Sequence, residues 1–213
     1  MVVLKIEGSE AGGRVMLVDR LLRLLDTEDQ QDPAYRQLQP FGQVPVMEEE
    51  GRATLFETGA ILLDVAERSG KLLPSNEYDR SLVVCWLFAA LNSIEPPLMD
   101  LAEVDFFIED ERKKADRRPD VVKAVETKLT QLSSALGSRE YLVGSEFTVA
   151  DMMTSSVLKI LHHTDLLDAY STLKAYRDRC FDRPAYRKAI AEQCAEIDRH
   201  QQKDMKYEQK KPD

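Results

Sequence analysis

Two short segments of the chain carry residues that could bind a small peptide. The first, residues 39–46, reads Gln-Pro-Phe-Gly-Gln-Val-Pro-Val. Pro45 interrupts an apolar run that otherwise predicts a strand, and proline cannot donate to a sheet ladder. A cis Val44–Pro45 bond would resolve this conflict, because the cis isomer costs only about 0.5–1 kcal/mol before proline. Such a turn would leave the backbone N–H and C=O of Val44 free to pair with an extended peptide.

The second segment, residues 55–62, reads Leu-Phe-Glu-Thr-Gly-Ala-Ile-Leu. Thr58 stands where an apolar helix is predicted to begin, directly after the acidic Glu57. Free backbone amides at the start of a helix attract a carboxylate. A backbone-pairing edge beside a carboxylate site is the combination that a small peptide ligand requires.

Together, the two segments resemble the glutathione-binding half of the cytosolic glutathione S-transferases, whose pattern is N-P-x-G-x-V-P followed by E-S-x-A-I. Here Gln39 takes the place of Asn, and Thr58 takes the place of Ser while keeping the hydroxyl group. Two motifs in the correct order are far more specific than either one alone. The resemblance extends over residues 1–195 and is closest to bacterial-type transferases with a serine-like N-terminal site.

The resemblance implies a role for each residue of the two motifs. Glu57 would contact the γ-glutamyl amino group of glutathione, and Thr58 would contact its carboxylate. Val44 and Pro45 would form the edge that pairs with the peptide backbone, and Gln43 would reach the glycyl end. A purely structural alternative is that Glu57 is an ordinary acidic residue at a helix start and Thr58 its N-cap. Both interpretations can hold together, because a helix N-terminus is itself a carboxylate site.

The catalytic role in this scheme falls to Ser9, in the loop after the first predicted strand. In several transferase classes a Ser or Cys at this position faces the glutathione sulfur. A hydroxyl that donates to the sulfur favours the thiolate and so lowers the pKa of the thiol. The alternative is that Ser9 only caps the following helix. A phosphate-binding loop is not indicated, because Arg14 and Val15 stand where that motif needs Lys and Ser or Thr.

Composition and charge narrow the class of function. The chain has 213 residues and a formal net charge of −9, which argues against nucleic-acid and anionic-membrane surfaces. No apolar run approaches the roughly 20 residues of a membrane helix, so no membrane association is expected. Three scattered cysteines and no signal peptide favour reduced thiols and a cytoplasmic location. His162 and His163 diverge on a helix, so no metal site is predicted.

The pattern of elements predicts an α/β domain followed by an all-α domain. Residues 1–70 are expected to form a thioredoxin-like glutathione-binding domain with strands at 2–6, 44–47 and 54–56 and a helix at 58–69 ending at Gly70. Residues 79–199 are expected to form a helical bundle, and residues 200–213 a polar tail. In the bundle, a long helix that starts at residues 80–91 is expected to be disturbed at Pro96-Pro97 and to resume as far as Glu111, and a break is predicted at residues 116–119. Thr148 and Asp151 have the spacing of a capping box at the start of an apolar helix.

One segment departs from the family. Relatives place a second strand and a second helix before the Pro-Phe-Gly turn, but only residues 26–39 are available here. Residues 26–33 show no apolar alternation. We therefore predict that the second strand is missing or reduced, which would weaken the wall beside the glycyl end of glutathione.

These observations favour a glutathione transferase, in which the thiolate of glutathione as co-substrate attacks a small electrophile. One alternative is a non-catalytic glutathione-binding or protein-interaction module on the same fold, because fold does not fix function. Another is a glutathione-dependent peroxidase or dehalogenase. A homodimer is expected from the resemblance and from the apolar faces of residues 58–69 and 80–91.

Overall fold

A small three-stranded sheet forms the α/β part of the molecule. The computed structural model describes residues 4–5 and 31–195. Within that part of the chain the strand order is β1-β2-β3. β1 pairs in parallel with β2, and β2 pairs antiparallel with β3 in the register Val46↔Phe56 and Met47↔Leu55. The strands are β1 (Leu4–Lys5), β2 (Val46–Glu48) and β3 (Leu55–Phe56).

These three strands confirm the predicted strand positions, although each is short. β2 begins at Val46, directly after Pro45, because proline has no N–H to add to the ladder. Ser9, the predicted first helix and residues 26–30 lie outside the described residues, so the missing second strand stays a prediction. A short helix at Pro33–Leu38 was not predicted from the sequence; the Asp32 carboxylate caps it by accepting from Ala34 N at 2.8 Å.

Helices make up most of the described chain. They are α1 (Pro33–Leu38), α2 (Thr58–Ser69), α3 (Glu77–Ala89), α4 (Glu95–Phe107), α5 (Glu111–Leu136), α6 (Val149–Leu158) and α7 (Ser171–Phe181), with a helical stretch α8 at residues 184–195. A π turn at Ala90–Ile94 joins α3 to α4, and 3₁₀ turns at Lys159–His163 and Leu166–Ala169 lie between α6 and α7.

The disturbance expected at Pro96-Pro97 is a π turn directly before the two prolines, and the helix resumes after it as predicted, ending at Phe107. α3, the π turn and α4 form one continuous helix from Glu77 to Phe107. In the π turn the Glu95 N–H donates to Ala90 O, five residues back. The wider turn relieves the clash that each proline ring would make with the carbonyl four residues before it, and no donor is required of either proline.

The predicted break at residues 116–119 is wrong. α5 runs through Pro119, which lies at an exposed position, so the carbonyl that loses its donor faces water. The break occurs earlier, at residues 108–110, where the Asp110 carboxylate caps α5 by accepting from Arg112 N and Lys113 N at 3.0 and 3.2 Å. The acidic-then-basic run at residues 109–114 is therefore a helix start as well as a charged surface.

Two predicted helix boundaries are confirmed. Gly70 ends α2 in the left-handed conformation, with φ of 61°. Thr148 and Asp151 form the predicted capping box at the start of α6. α6 is buried on most sides, which explains why its first amides need protein partners rather than water.

The main hydrophobic core lies among the helices. It is built from α3, α4, α5, α6 and α7, with Leu62 and Ala66 of α2 joining it from the α/β part. By length and composition alone, the helix from Glu77 to Phe107 could cross a membrane, a criterion that core helices of soluble proteins also meet. One side of it packs in this core through residues that include Val83, Leu87, Leu98 and Leu101.

Candidate functional site

The loop that joins α1 to β2 is held by side chains from its own N-terminal side. The Gln39 side-chain oxygen accepts from Phe41 N at 2.7 Å and from Gln43 N at 3.0 Å. The Tyr35 hydroxyl donates to Gln43 O at 2.5 Å. Both backbone groups of Gln43 are therefore bound by side chains, and the next peptide bond, Val44–Pro45, is cis.

The sheet register brings this loop beside the start of α2. Val46 pairs with Phe56 in the antiparallel ladder. The ladder ends at this pair, so Pro45, which directly precedes Val46, and Glu57, which directly follows Phe56, leave the sheet at the same end. Two motifs that are separate in sequence therefore meet at one end of the β2–β3 hairpin. Val44 forms no backbone hydrogen bond to another residue of the described chain.

Glu57 starts α2 in an unusual conformation. It occupies the N-cap position with φ of 70° and ψ of 122°, and its side chain makes no capping bond. The first intrahelical bond is from Ile61 N to Glu57 O at 3.0 Å. The amides of Thr58, Gly59 and Ala60 are therefore left without an intrahelical acceptor. The structural alternative in which Thr58 is the N-cap is wrong, because Thr58 is the first helical residue and Glu57 is the N-cap.

Gly59 allows α2 to approach the long helix closely. A Cβ at this position would lie 3.0 Å from Leu91 Cδ1 and 3.5 Å from Leu87 Cδ2. Because Gly59 has no side chain, it leaves room for Leu87 of α3 and Leu91 of the π turn. The start of α2 is consequently bordered by the helical part of the molecule.

Ion pairs tie the other end of the hairpin to α2. Arg52, in the β2–β3 turn, donates to Asp64 at 2.7 Å, and Arg68 of α2 donates to Glu49 at 2.5 Å. These groups are partly exposed, so each pair contributes at most about 1 kcal/mol. Their geometry keeps the hairpin and α2 in a fixed relation at the end opposite Glu57.

The structure therefore brings together five of the six predicted site residues. Gln43, Val44 and Pro45 come from the loop, and Glu57 and Thr58 from the start of α2. The side chains of Gln43 and Glu57 form no hydrogen bond or ion pair with another described residue, so both are available to a ligand. The sixth residue, Ser9, lies outside the described residues, and its role stays a prediction.

The contacts that Tyr35 and Gln39 make with the loop were not predicted from the sequence. Tyr35 is 4% exposed and Gln39 is 1% exposed; Tyr35 lies four residues before the first motif, and Gln39 is its first residue. A spacing of four residues puts a tyrosine and a glutamine on one face of a helix, and that spacing is the signal that was available. It does not reveal that the two side chains turn toward the loop that follows.

Other polar clusters lie in the helical part. The Asp105 carboxylate accepts from Arg118 Nε at 2.7 Å and contacts His163 Nε2 at 3.2 Å. The hydrogen bond from Arg118 lowers the pKa of Asp105, and the same contact raises the pKa of Arg118. His163 is the last residue of the 3₁₀ turn that follows α6, and its contact with Asp105 joins that turn to α4.

The remaining reactive groups offer no second site. Burial raises the pKa of the Cys180 thiol to about 12, which keeps it protonated at neutral pH. Residues 31–195 bring no three His, Cys, Asp or Glu side chains together as metal ligands. An open surface cavity near Arg139 and Arg179 contains none of the predicted site residues.

Comparisons with known proteins agree with this architecture. Residues 100–193 match the family model of the glutathione S-transferase C-terminal domain. Glutathione S-transferase F10 of Arabidopsis thaliana is 28% identical over 175 residues, covering 76% of this chain and 80% of the relative.

Solved transferase structures share the fold across both parts of the molecule. A glutathione transferase from Burkholderia graminis, solved with two glutathione molecules per subunit, aligns with a TM-score of 0.71 and 24% identity, covering 78% of this chain and 73% of that one. A glutathione transferase family member from Pseudomonas fluorescens, with two glutathione bound, aligns with a TM-score of 0.67 and 26% identity over 77% of each chain. The chain has the fold of the glutathione S-transferases, with a thioredoxin-like N-terminal domain and a helical C-terminal domain.

Proposed function

We propose that this protein binds glutathione between the Gln43–Pro45 loop and the start of α2, and transfers its thiolate to a small electrophile. The observation that carries the proposal is the Val46–Phe56 pair, which puts the Gln43–Pro45 loop and the start of α2 at the same end of the β2–β3 hairpin. The match to the transferase family model and the glutathione bound in similar structures support the choice of ligand.

Each part of the site matches one part of the tripeptide. The γ-glutamyl carboxylate accepts from the amides at the start of α2 and from the Thr58 hydroxyl. The Glu57 carboxylate, which has no partner among the described residues, receives the γ-glutamyl ammonium group. The backbone of Val44 pairs with the cysteinyl residue, and the side chain of Gln43 reaches the glycyl end.

The proposed reaction follows from holding a thiol in this place. The thiol loses its proton to solvent, the thiolate electron pair forms a carbon–sulfur bond to the electrophile, and the displaced group leaves with its electron pair. Ser9 would donate a hydrogen bond to the sulfur and so favour the thiolate. Binding both reactants at one site supplies the remaining advantage, because it replaces a bimolecular encounter.

The protein is proposed to act as a cytoplasmic homodimer. Phe88 of α3 is 57% exposed and Phe41 of the loop is 66% exposed, and large exposed aromatic groups are typical of interfaces. The cysteines Cys85, Cys180 and Cys194 are free, as in a reducing compartment. A solution mass of 24.3 kDa, that of one chain, would contradict the dimer.

Calorimetric titration with glutathione tests the binding site. Glu57→Ala and Thr58→Ala should each weaken binding about tenfold or more, because each removes a hydrogen bond to a charged group worth about 1.5–3 kcal/mol. Thr58→Ser keeps the hydroxyl and should bind like the wild type. Glu67→Ala removes the same charge from the other end of α2 and serves as the control. Unchanged affinity in both alanine variants would place the ligand elsewhere.

Turnover assays separate transfer from binding alone. Ser9→Ala should lower the conjugation rate and raise the pKa of the bound thiol, seen in its ultraviolet absorbance. Tight binding without conjugation of any electrophile in a panel would instead indicate a glutathione-binding module. Activity confined to peroxides or halogenated compounds would indicate a peroxidase or dehalogenase.

A further inference from the structure

Two buried polar side chains lie beneath the proposed glutathione loop without belonging to it. Tyr35 lies within α1 and Gln39 is the residue directly after α1. Both are almost completely buried. Buried polar groups in proteins are nearly always hydrogen-bonded, so the partners of these two indicate what they do. The Tyr35 hydroxyl donates to the backbone of loop 41–43, and the Gln39 side-chain oxygen accepts from it.

Their bonds converge on one residue. Gln43 N donates to the Gln39 side-chain oxygen at 3.0 Å, and Gln43 O accepts from the Tyr35 hydroxyl at 2.5 Å. The same Gln39 oxygen also accepts from Phe41 N at 2.7 Å, and Gly42 N donates to Gln39 O at 3.0 Å. Gln43 is thereby fixed on both sides of its Cα, and its side chain has no partner among the described residues.

We propose that Tyr35 and Gln39 are positioning residues that hold the Gln43–Val44 backbone in the conformation that receives glutathione. This inference rests on the proposed function. Neither side chain is placed to touch the ligand, because both are buried and the Tyr35 hydroxyl and the Gln39 side-chain oxygen are already bonded to the loop. They act by fixing the loop before the ligand arrives, so that binding does not have to order it.

The length of the Gln39 side chain is part of this arrangement. Transferases of the family carry Asn at this motif position. A shorter Asn side chain favours an Asx turn, in which it accepts from the amide two residues ahead. Gln39 accepts from the amides two and four residues ahead. The longer side chain adds the second bond, to Gln43 N. On the other side of the same residue, the Tyr35 hydroxyl donates to Gln43 O.

The test compares variants that remove single polar groups without changing volume. Tyr35→Phe deletes only the hydroxyl, and Gln39→Met replaces the carboxamide, its acceptor and its donor together, with an apolar group of similar length. Each should raise the glutathione Kd and KM about three- to tenfold, the equivalent of one ordinary hydrogen bond, and leave kcat at saturating glutathione unchanged. Gln39→Asn should fall between Gln39→Met and the wild type. Tyr78→Phe deletes a hydroxyl from a 74% exposed tyrosine and is the matched control.

The readouts separate positioning from simple stabilisation. A purely structural role would lower the unfolding free energy of Tyr35→Phe while KM stayed at the wild-type value, and that result would overturn the inference. Amide hydrogen exchange without ligand should be faster at Gln43 in both variants, and unchanged exchange would also overturn it. If the wild type itself does not bind glutathione, the proposed function and this inference fail together. If the wild type binds and Tyr35→Phe binds equally well, only this inference fails.

Discussion

The Asp151 network in the helical core and the Gln39 network under the site loop use the same chemistry in different surroundings. Asp151 accepts from Thr148 N, Leu142 N and the Tyr176 hydroxyl at 2.8–3.0 Å. Gln39 accepts from two loop amides, and the Tyr35 hydroxyl completes that network. In both, one side chain accepts from two backbone amides, which go to separate carboxylate oxygens of Asp151 and to the single side-chain oxygen of Gln39. A buried tyrosine hydroxyl donates the further hydrogen bond of each network.

The surroundings and the charge of the two networks differ. Asp151 is fully buried and joins α6, the preceding loop and α7, so its partners cannot turn to water. Burial and, next, the neighbouring carboxylate raise the pKa of Tyr176 well above its usual value. Gln39 is neutral and shapes a loop with exposed residues on both sides. The same arrangement of hydrogen bonds therefore serves folding at Asp151 and, in the proposed site, ligand recognition at Gln39.

The largest expected effect is on the core network. Asp151→Ala should lower the unfolding free energy by about 3–5 kcal/mol, because it leaves several buried donors without an acceptor. Urea denaturation measures the change, with Asp182→Ala at the surface as the control. If Asp151→Ala lowered the unfolding free energy by no more than Tyr35→Phe does, the two networks would not differ in their contribution to stability.

An intermediate effect is expected at Asp105, where a charged network lies nearer the surface. Asp105→Asn should lower the unfolding free energy by about 1–2 kcal/mol at pH 6. The Arg118 hydrogen bond lowers the pKa of Asp105 below its usual value near 3.8. The stabilisation is therefore present above that value and is lost as the pH falls through the lowered pKa.

Denaturation of wild type and Asp105→Asn at several pH values checks this sign. The wild-type advantage should persist at pH 5 and narrow below about pH 4. An advantage that grew toward acidic pH would show that the carboxylate is not stabilised in its charged form by Arg118 and His163.

The smallest expected effect concerns backbone strain at the site. Glu57 has φ of 70°, a conformation that glycine adopts without cost. Glu57→Gly and Glu57→Ala both remove the carboxylate, so both should weaken glutathione binding. Glu57→Gly should be the more stable of the two by about 1 kcal/mol, because alanine retains the strain. Equal unfolding free energies would show that the helix start relaxes when the carboxylate is gone.

Local signals allowed much of the fold to be predicted. Gly70, the Thr148–Asp151 box and the alternation around residues 44–56 each encode a boundary within a few residues of sequence. The family motifs likewise identified Gln43, Val44, Glu57 and Thr58, which the sheet register then brings together.

The features that were missed depend on contacts or compensations that local sequence does not contain. Pro96 and Pro97 indicated a disturbed helix and Pro119 a break, but local sequence does not contain the π turn and the exposed position that accommodate them. Phe88 is exposed, because the long helix packs on only one side. The pairing of Asp105 with His163 spans 58 residues and follows from the packing of α4 against the 3₁₀ turn.

The π turn at Ala90–Ile94 relates the number of residues in the long helix to the two prolines that follow the turn. It takes up one residue more than an α-turn, so removing one residue there would restore a regular α-turn and keep the downstream residues on their present face. Leu98, Leu101 and Val104, all fully buried, would stay in the core. The regular α-turn would, however, collide with the rings of Pro96 and Pro97. The extra residue and the two prolines should therefore be gained or lost together during evolution, and a one-residue gap in an alignment at this point would mark a lineage without that proline pair.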